Sequence, residues 1–236
     1  MNHKEILEIV KQEVELCNIN LWDNMWYDES SESTPFQTKA TLPKSHVTQI
    51  ESGATKVCLF FDNIQDYVVK IPYLGVICFN DDCFDELQEE YTKAGACVNS
   101  PCDTWDYCMT EAALFQEAKK MGIDKCFAGT YYIGSIDDFP IYVSSKVPNW
   151  VSGTSSPKAR ELGKKIIDSK PQELGDLTSD YLGLFIDNYG YNIAKRMFDF
   201  LKEHKIKDMH DGNLGFTQDN HIKIIDYCSY NESIYF

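Results

Sequence analysis

Near the end of the chain, Asp208-Met209-His210-Asp211-Gly212-Asn213 precedes an apolar run, Ile222-Lys223-Ile224-Ile225, that closes on Asp226. An aspartate, an asparagine five positions later and a second aspartate after a short strand are all hard oxygen donors. Such donors suit magnesium, and magnesium-dependent phosphoryl transfer uses a set of this kind. In that chemistry Asp208 would orient an attacking hydroxyl and accept its proton. Asn213 and Asp226 would hold the metal against nucleotide phosphates. Asp, Asn and Gly also crowd ordinary turns for conformational reasons, so the loop alone leaves both readings open.

The register of the loop narrows the choice. If His210-Asp211 is taken to resemble the His-x-Asp pair of a eukaryotic-type kinase catalytic loop, the metal-binding position falls on Phe216, which offers no side-chain oxygen. Starting from Asp208 puts Asn213 at the fifth position, where that resemblance implies the metal-binding asparagine. Asp208 is therefore the candidate base, and His210 is expected to pack and orient the loop.

Such a site needs positioning elements and a cation. From His46 the pattern is strand-like, with runs at Val47 to Ile50, Lys56 to Phe61 and Tyr67 to Ile71. The turn between the first two contains Ser52-Gly53-Ala54, and the third run reads Val68-Val69-Lys70-Ile71. Taken alone, Lys70 defaults to a surface-pointing edge lysine. A helix is expected from about Thr110 to Met121, with Glu111 on one stripe with Leu114, Phe115 and Ala118. A carboxylate on an apolar face needs a partner, and Lys70 is the natural candidate. Glu117 points away from that stripe and is the weaker choice.

Two more strands are expected, Cys126 to Ile133 and Pro140 to Val143, the second running into Ser144-Ser145-Lys146-Val147. After Pro148 the character is helical, with segments Pro157 to Asp168, Tyr181 to Asn188 and Tyr191 to His204. Ahead of the strands, Lys4 to Cys17 has helical periodicity, followed by Trp22, Trp26 and Tyr27 and a polar connector. This reads as a docking helix whose aromatic cluster anchors it to the main body. Residues 79–107 are acidic and read as a solvated insertion.

Composition sets outer limits. Hydrophobic residues make up 43% of 236, which suits a folded globular chain. The formal charge of −15, without a Lys/Arg cluster, argues against nucleic acid and anionic membranes as partners. No opening signal segment or spanning apolar run is visible, so a cytoplasmic location is expected. The chain has nine cysteines and no C-x-x-C pair. Cys78, Cys83, Cys97, Cys102 and Cys108 do not match zinc spacings, and buried free thiols are the expected account.

With these motifs in order, the chain resembles compact bacterial or phage members of the protein-kinase-like superfamily, similar in style to aminoglycoside phosphotransferases. The resemblance covers roughly residues 47–230. It rests on the lysine strand, the glutamate helix, the Asp-x-His-x-Gly-Asn loop and the strand-ending Asp226. It implies an α+β, two-lobed fold: residues 1–45 a helix and connector, 46–147 a β-rich lobe with one key helix, and 148–236 a reduced helical lobe.

The same resemblance implies an ATP- and Mg²⁺-dependent phosphotransferase acting on a small-molecule or protein hydroxyl. Lys70 would contact phosphates and Glu111 would hold it. Ser52, Gly53 and Ala54 would cover the phosphates, while Ser145 and Val147 would meet adenine. Asp208 would be the base, with Asn213 and Asp226 as metal ligands. The loop has one glycine where protein kinases usually have three, and Tyr227-Cys228 follows Asp226 in place of Phe-Gly. Ten residues follow Asp226 in this sequence, so no activation segment or peptide platform is expected. A nucleotide-binding pseudokinase module and nucleotidyl transfer to protein are the alternatives, since a fold does not fix chemistry.

Overall fold

The computed structural model describes residues 1–28, 34–36, 44–53, 55–78, 97–98, 106–150, 153–169, 177–206 and 209–227. The fold is mixed α+β. The chain divides into two compact units, Met1–Thr110 with Thr130–Ser145, and Glu111–Gly129 with Lys146–Phe236.

The first unit opens with helices α1 (His3–Leu16) and α2 (Leu21–Asn24) and strand β1 (Trp26–Asp28). Then come β2 (Val47–Ser52), β3 (Lys56–Phe61), β4 (Tyr67–Pro72), β5 (Gly75–Cys78) and β6 (Cys97–Val98), and later β7 (Thr130–Ile136) and β8 (Phe139–Ser145). Five of these strands form an antiparallel sheet in the order β2-β3-β4-β8-β7, so β4 is its middle strand. A second sheet, β1-β5-β6, pairs β1 parallel to β5.

Helix α1 forms where its periodicity places it. Asn2 and Glu5 make a capping box at its start, and Ile6, Val10 and Val14 line its buried stripe. That stripe packs on Val57, Leu59, Val69, Ile71, Ile141 and Val143, one face of the large sheet. The buried Glu13 is satisfied by Ser45 Oγ, which donates at 2.9 Å, and by the His46 amide at 3.4 Å. At the bulge in β7, Gly134 has φ +137, and a Cβ there would lie 2.5 Å from Leu7 Cδ2. The positive φ favours glycine here, and the missing Cβ leaves room for the Leu7 side chain of the helix. Trp22 anchors the extension as expected: its Nε1 donates to the Asp137 carbonyl at 2.8 Å, and its ring meets Phe139 at 5.0 Å. The N-terminal helix thus docks on its own chain.

Helix α3 (Tyr107–Lys120) passes into the second unit at Glu111. A 3₁₀ turn (Asp124–Cys126) and β9 (Asn149–Trp150) follow, then α4 (Pro157–Ser169), α5 (Ser179–Tyr189), α6 (Tyr191–Glu203), β10 (Leu214–Phe216) and β11 (Ile222–Ile224). Strands β11, β10 and β9 form a small antiparallel sheet. Two acids of α5 anchor the start of α4: Asp180 accepts from Ser155 N and Oγ, and Asp187 from Ser156 N and Oγ.

Most expected elements occur within a few residues of their sequence bounds. The strand expected from Cys126 is a correction. Cys126 closes the 3₁₀ turn, and Phe127 bridges Ile224 of β11, so the large sheet begins only at Thr130. The alternation that suggested one strand belongs to two different pairings. Most of the acidic stretch 79–107 lies outside the described residues, as does most of the connector after Asp28. Among the described residues, no helix is long and apolar enough to cross a membrane.

Candidate functional site

Register determines which way Lys70 points. It pairs with Cys58 of β3 on one side and Tyr142 of β8 on the other. Successive strand residues face opposite sides, so Val69 and Ile71 take the face packed on α1 while Lys70 takes the other. Lys70 is only 2% exposed. The default of a surface-pointing edge lysine is therefore corrected, because Lys70 is buried in the middle strand. The apolar run Val68–Ile71 gives no sign that its second face is also covered, which is why the sequence left this open.

The residue across from Lys70 reaches the helix that carries Glu111. Tyr142 donates to Asp106 Oδ2 at 2.6 Å, and Asp106 Oδ1 accepts from the Met109 amide at 2.8 Å. Burial, and then this bond to Asp106, push the Tyr142 phenol far above its usual range. Asp106 thereby caps α3, and this starts the helix three residues before Thr110. Glu111 follows within the next turn, with no exposure, on the stripe of buried Leu114, Phe115 and Ala118. Glu117 faces elsewhere: its Oε1 lies 3.1 Å from Nε2 of His204, the residue that follows α6. The two glutamates thus part as the helical geometry anticipates.

In the second unit, the β10–β11 hairpin brings two candidate metal ligands to one end. Leu214 pairs with Ile224, and the Ile225 amide donates to the Asn213 carbonyl at 2.8 Å. Facing residues of such a pair stand roughly 5.5 Å apart at Cα, and Asp226 is the next residue along. Both flanks of Asp226 are tied down. The Ala128 amide donates to the Ile224 carbonyl at 2.7 Å, and the Tyr227 hydroxyl donates to the Ala128 carbonyl at 2.8 Å. On the far side, the Ile222 amide donates to Asn188 Oδ1, and Tyr189 donates to the Ile222 carbonyl.

The loop before Asn213 is held by its own histidine. His210 Nδ1 accepts from the Gly212 amide at 3.0 Å, and a Cβ on Gly212 would stand 2.7 Å from His210 Cε1. The ring lies directly on the glycine, so any side chain there would displace one or the other. Asn213 itself sits in the 3₁₀ turn Asp211–Asn213, with its amide donating to the His210 carbonyl at 3.0 Å, and is buried.

An amide oxygen and a carboxylate at one hairpin end suit Mg²⁺, which takes one or two protein ligands and fills its shell with water and phosphate. Among the described residues, no group of three or more His, Cys, Asp or Glu side chains could hold a metal ion. Of the suggested cysteine cluster, Cys108 is buried and forms no disulfide.

Four of the remaining candidates lie within the described residues. Ser52 ends β2, with its Oγ 3.0 Å from the Tyr73 hydroxyl, and the Gly53 amide donates to the Lys56 carbonyl. Ser145 ends β8, across from Tyr67. Val147 belongs to the second unit. Ala54 and Asp208 lie outside the described residues.

Sequence reasoning did not single out Asp106, Tyr142 or Tyr227. An aspartate three residues before Met109 carries a capping signal. The two tyrosines carry none, because their partners are distant in sequence.

No protein-family model and no curated protein matches this chain. Among solved structures, it is similar to a pseudokinase determined in its apo form, at 12% identity over 82% of this chain with a TM-score of 0.34. The chain spans 62% of the length of that structure.

Proposed function

We propose that this chain is a kinase-like protein that binds ATP with Mg²⁺ and transfers a phosphoryl group to a small-molecule or protein hydroxyl. The observation that carries the reading is the hairpin end at which the Ile225 amide bonds the Asn213 carbonyl and the chain continues into Asp226. Two oxygen donors separated by a dozen residues share that end, and the Tyr227 bond to Ala128 holds it in place. The burial of Lys70 in a middle strand and of Glu111 on the first turns of α3 supports the same reading.

Each role follows from the chemistry of the side chain. Asp208 accepts the proton of the acceptor hydroxyl and aligns its oxygen for in-line attack. Lys70 binds the α- and β-phosphates, and Glu111 holds the ammonium in position. Asn213 and Asp226 are the residues that would hold Mg²⁺, which when bound neutralises charge on the phosphates. Alignment and charge compensation supply most of the acceleration, since phosphoryl transfer asks for little covalent help from protein. The net charge of −15 favours a cationic acceptor, such as an aminated sugar.

The test follows ADP release and acceptor mass in the presence of ATP, Mg²⁺ and candidate acceptors. Wild type is expected to release ADP and add phosphate, and Asp208→Ala to lose that turnover. ATP binding without turnover would make the chain a pseudokinase-type binding module. A nucleotide added to protein would identify nucleotidyl transfer. Equal ADP release by wild type and Asp208→Ala would remove Asp208 from the mechanism.

A further inference from the structure

We infer that Lys56 is a second anion-contacting residue, which meets the nucleotide polyphosphate together with Lys70. The inference deepens the function proposed above and rests on it. Lys56 lies across from Pro72 and Lys70 across from Cys58, on the neighbouring strands β3 and β4. Facing residues share a side of the sheet. Lys56 and Lys70 therefore project from the same face, the one turned away from α1, and stand one diagonal step apart. That step is roughly 7–8 Å, within reach of long side chains.

Both lysines are buried, at 5% and 2% exposure. A chain of phosphates is long enough to meet both side chains across that diagonal step.

The adjoining turn shows why a second cation would be useful there. Its only glycine, Gly53, is not held at a positive φ, and a Cβ on it would have nothing within 4 Å. Nothing within that distance of Gly53 therefore requires the absence of a side chain. Where loops with several glycines wrap phosphate in backbone N–H groups, this strand pair offers a side-chain ammonium two residues before the partner of Lys70. The ligand class is a nucleoside triphosphate, recognised through its phosphates, so affinity should depend strongly on phosphate number.

The experiment measures binding of AMP, ADP, ATP and tripolyphosphate, each with Mg²⁺, by calorimetry on the full chain. The proteins are wild type, Lys56→Met, Lys56→Arg, Lys70→Met and the exposed control Lys165→Met. Ligand-free melting of each variant confirms that it folds. Lys56→Met is expected to weaken ATP and tripolyphosphate about tenfold or more, as loss of a hydrogen bond to a charged group does, and AMP less than about twofold. Lys56→Arg is expected to retain most of the ATP affinity, and Lys165→Met all of it.

If Lys70→Met loses ATP while a folded Lys56→Met binds it like wild type, this inference fails and the proposed function stands. Equal weakening of AMP and ATP by Lys56→Met would also overturn it, by showing a general packing loss. If Lys56→Met fails to fold, Lys56→Arg and Lys56→Gln decide, because only the arginine should keep the preference for ATP over AMP. Tripolyphosphate binding that depends on both lysines, without any adenine nucleotide binding, would uphold the lysine pair and remove the nucleotide reading. Failure of wild type to bind any of the four would end both.

Discussion

Lys70 and Asp226 are held by different means. Lys70 sits in the middle of a five-stranded sheet, where its direction follows from register over strands of six and seven residues. Asp226 stands beyond a hairpin of three-residue strands, and its position depends on a handful of hydrogen bonds to Asn213, Ala128, Asn188 and Tyr189. A residue set by register tolerates the loss of any one neighbouring contact, because the remaining pairs keep the strand in place. A residue set by a few bonds at a strand end does not. The second unit should therefore show the sharper functional response to small chemical changes.

The largest effect tests the end point of the second region. Asp226→Asn keeps the shape and removes the charge, and metal-dependent turnover should fall about a hundredfold to a thousandfold with little change in ligand-free melting. ADP release at saturating ATP measures it. Next comes Gly212→Ala, which forces a Cβ to within 2.7 Å of His210 Cε1. The displaced loop carries Asn213, so turnover should drop roughly tenfold to a hundredfold.

A matched pair of tyrosines compares the regions most directly. Tyr227→Phe leaves the buried Ala128 carbonyl without its side-chain donor, and Tyr142→Phe does the same to Asp106. Each should cost about 1–3 kcal/mol of stability, read by denaturant unfolding. Tyr227→Phe should also weaken magnesium-dependent ATP binding, whereas Tyr142→Phe should leave the binding of phosphate groups by Lys70 nearly intact. Equal functional losses from the two variants would remove the distinction drawn here.

The smallest effect is chemical. Burial, opposed by Lys223 and Lys125, pushes the Cys126 thiol up to about 12. It should resist iodoacetamide at about pH 8, while the half-buried Cys58 reacts. Peptide mapping after alkylation reads both.

The sequence carried the local part of this organisation well. The strand Lys56–Phe61 and the helix pair of the second unit are fixed by short-range alternation, turns and caps, and they occur close to where the pattern puts them. The separation of Glu111 from Glu117 also follows from helical geometry alone. The strand expected from Cys126 fails because a single apolar run serves two pairings, with Phe127 on β11 and Thr130 on the large sheet. Lys70 was ambiguous because burial of a second sheet face depends on what covers it. The bonds Tyr142–Asp106 and Tyr227–Ala128 join residues 36 and 99 positions apart. No local rule connects such pairs, although one lies beside Asp226 and the other ties β8 to the residue that caps the Glu111 helix.

The proposed function rests above all on the Asn213–Asp226 hairpin end holding the metal of a metal–nucleotide complex. Paramagnetic broadening of backbone amides by Mn²⁺·ATP tests it most directly, with Mn²⁺ in place of Mg²⁺. The proposal predicts selective loss of signal at Gly212 to Leu214 and Ile225 to Tyr227, while second-unit amides remote from that hairpin end stay sharp. Signals that remain sharp at both segments while other amides broaden would contradict it.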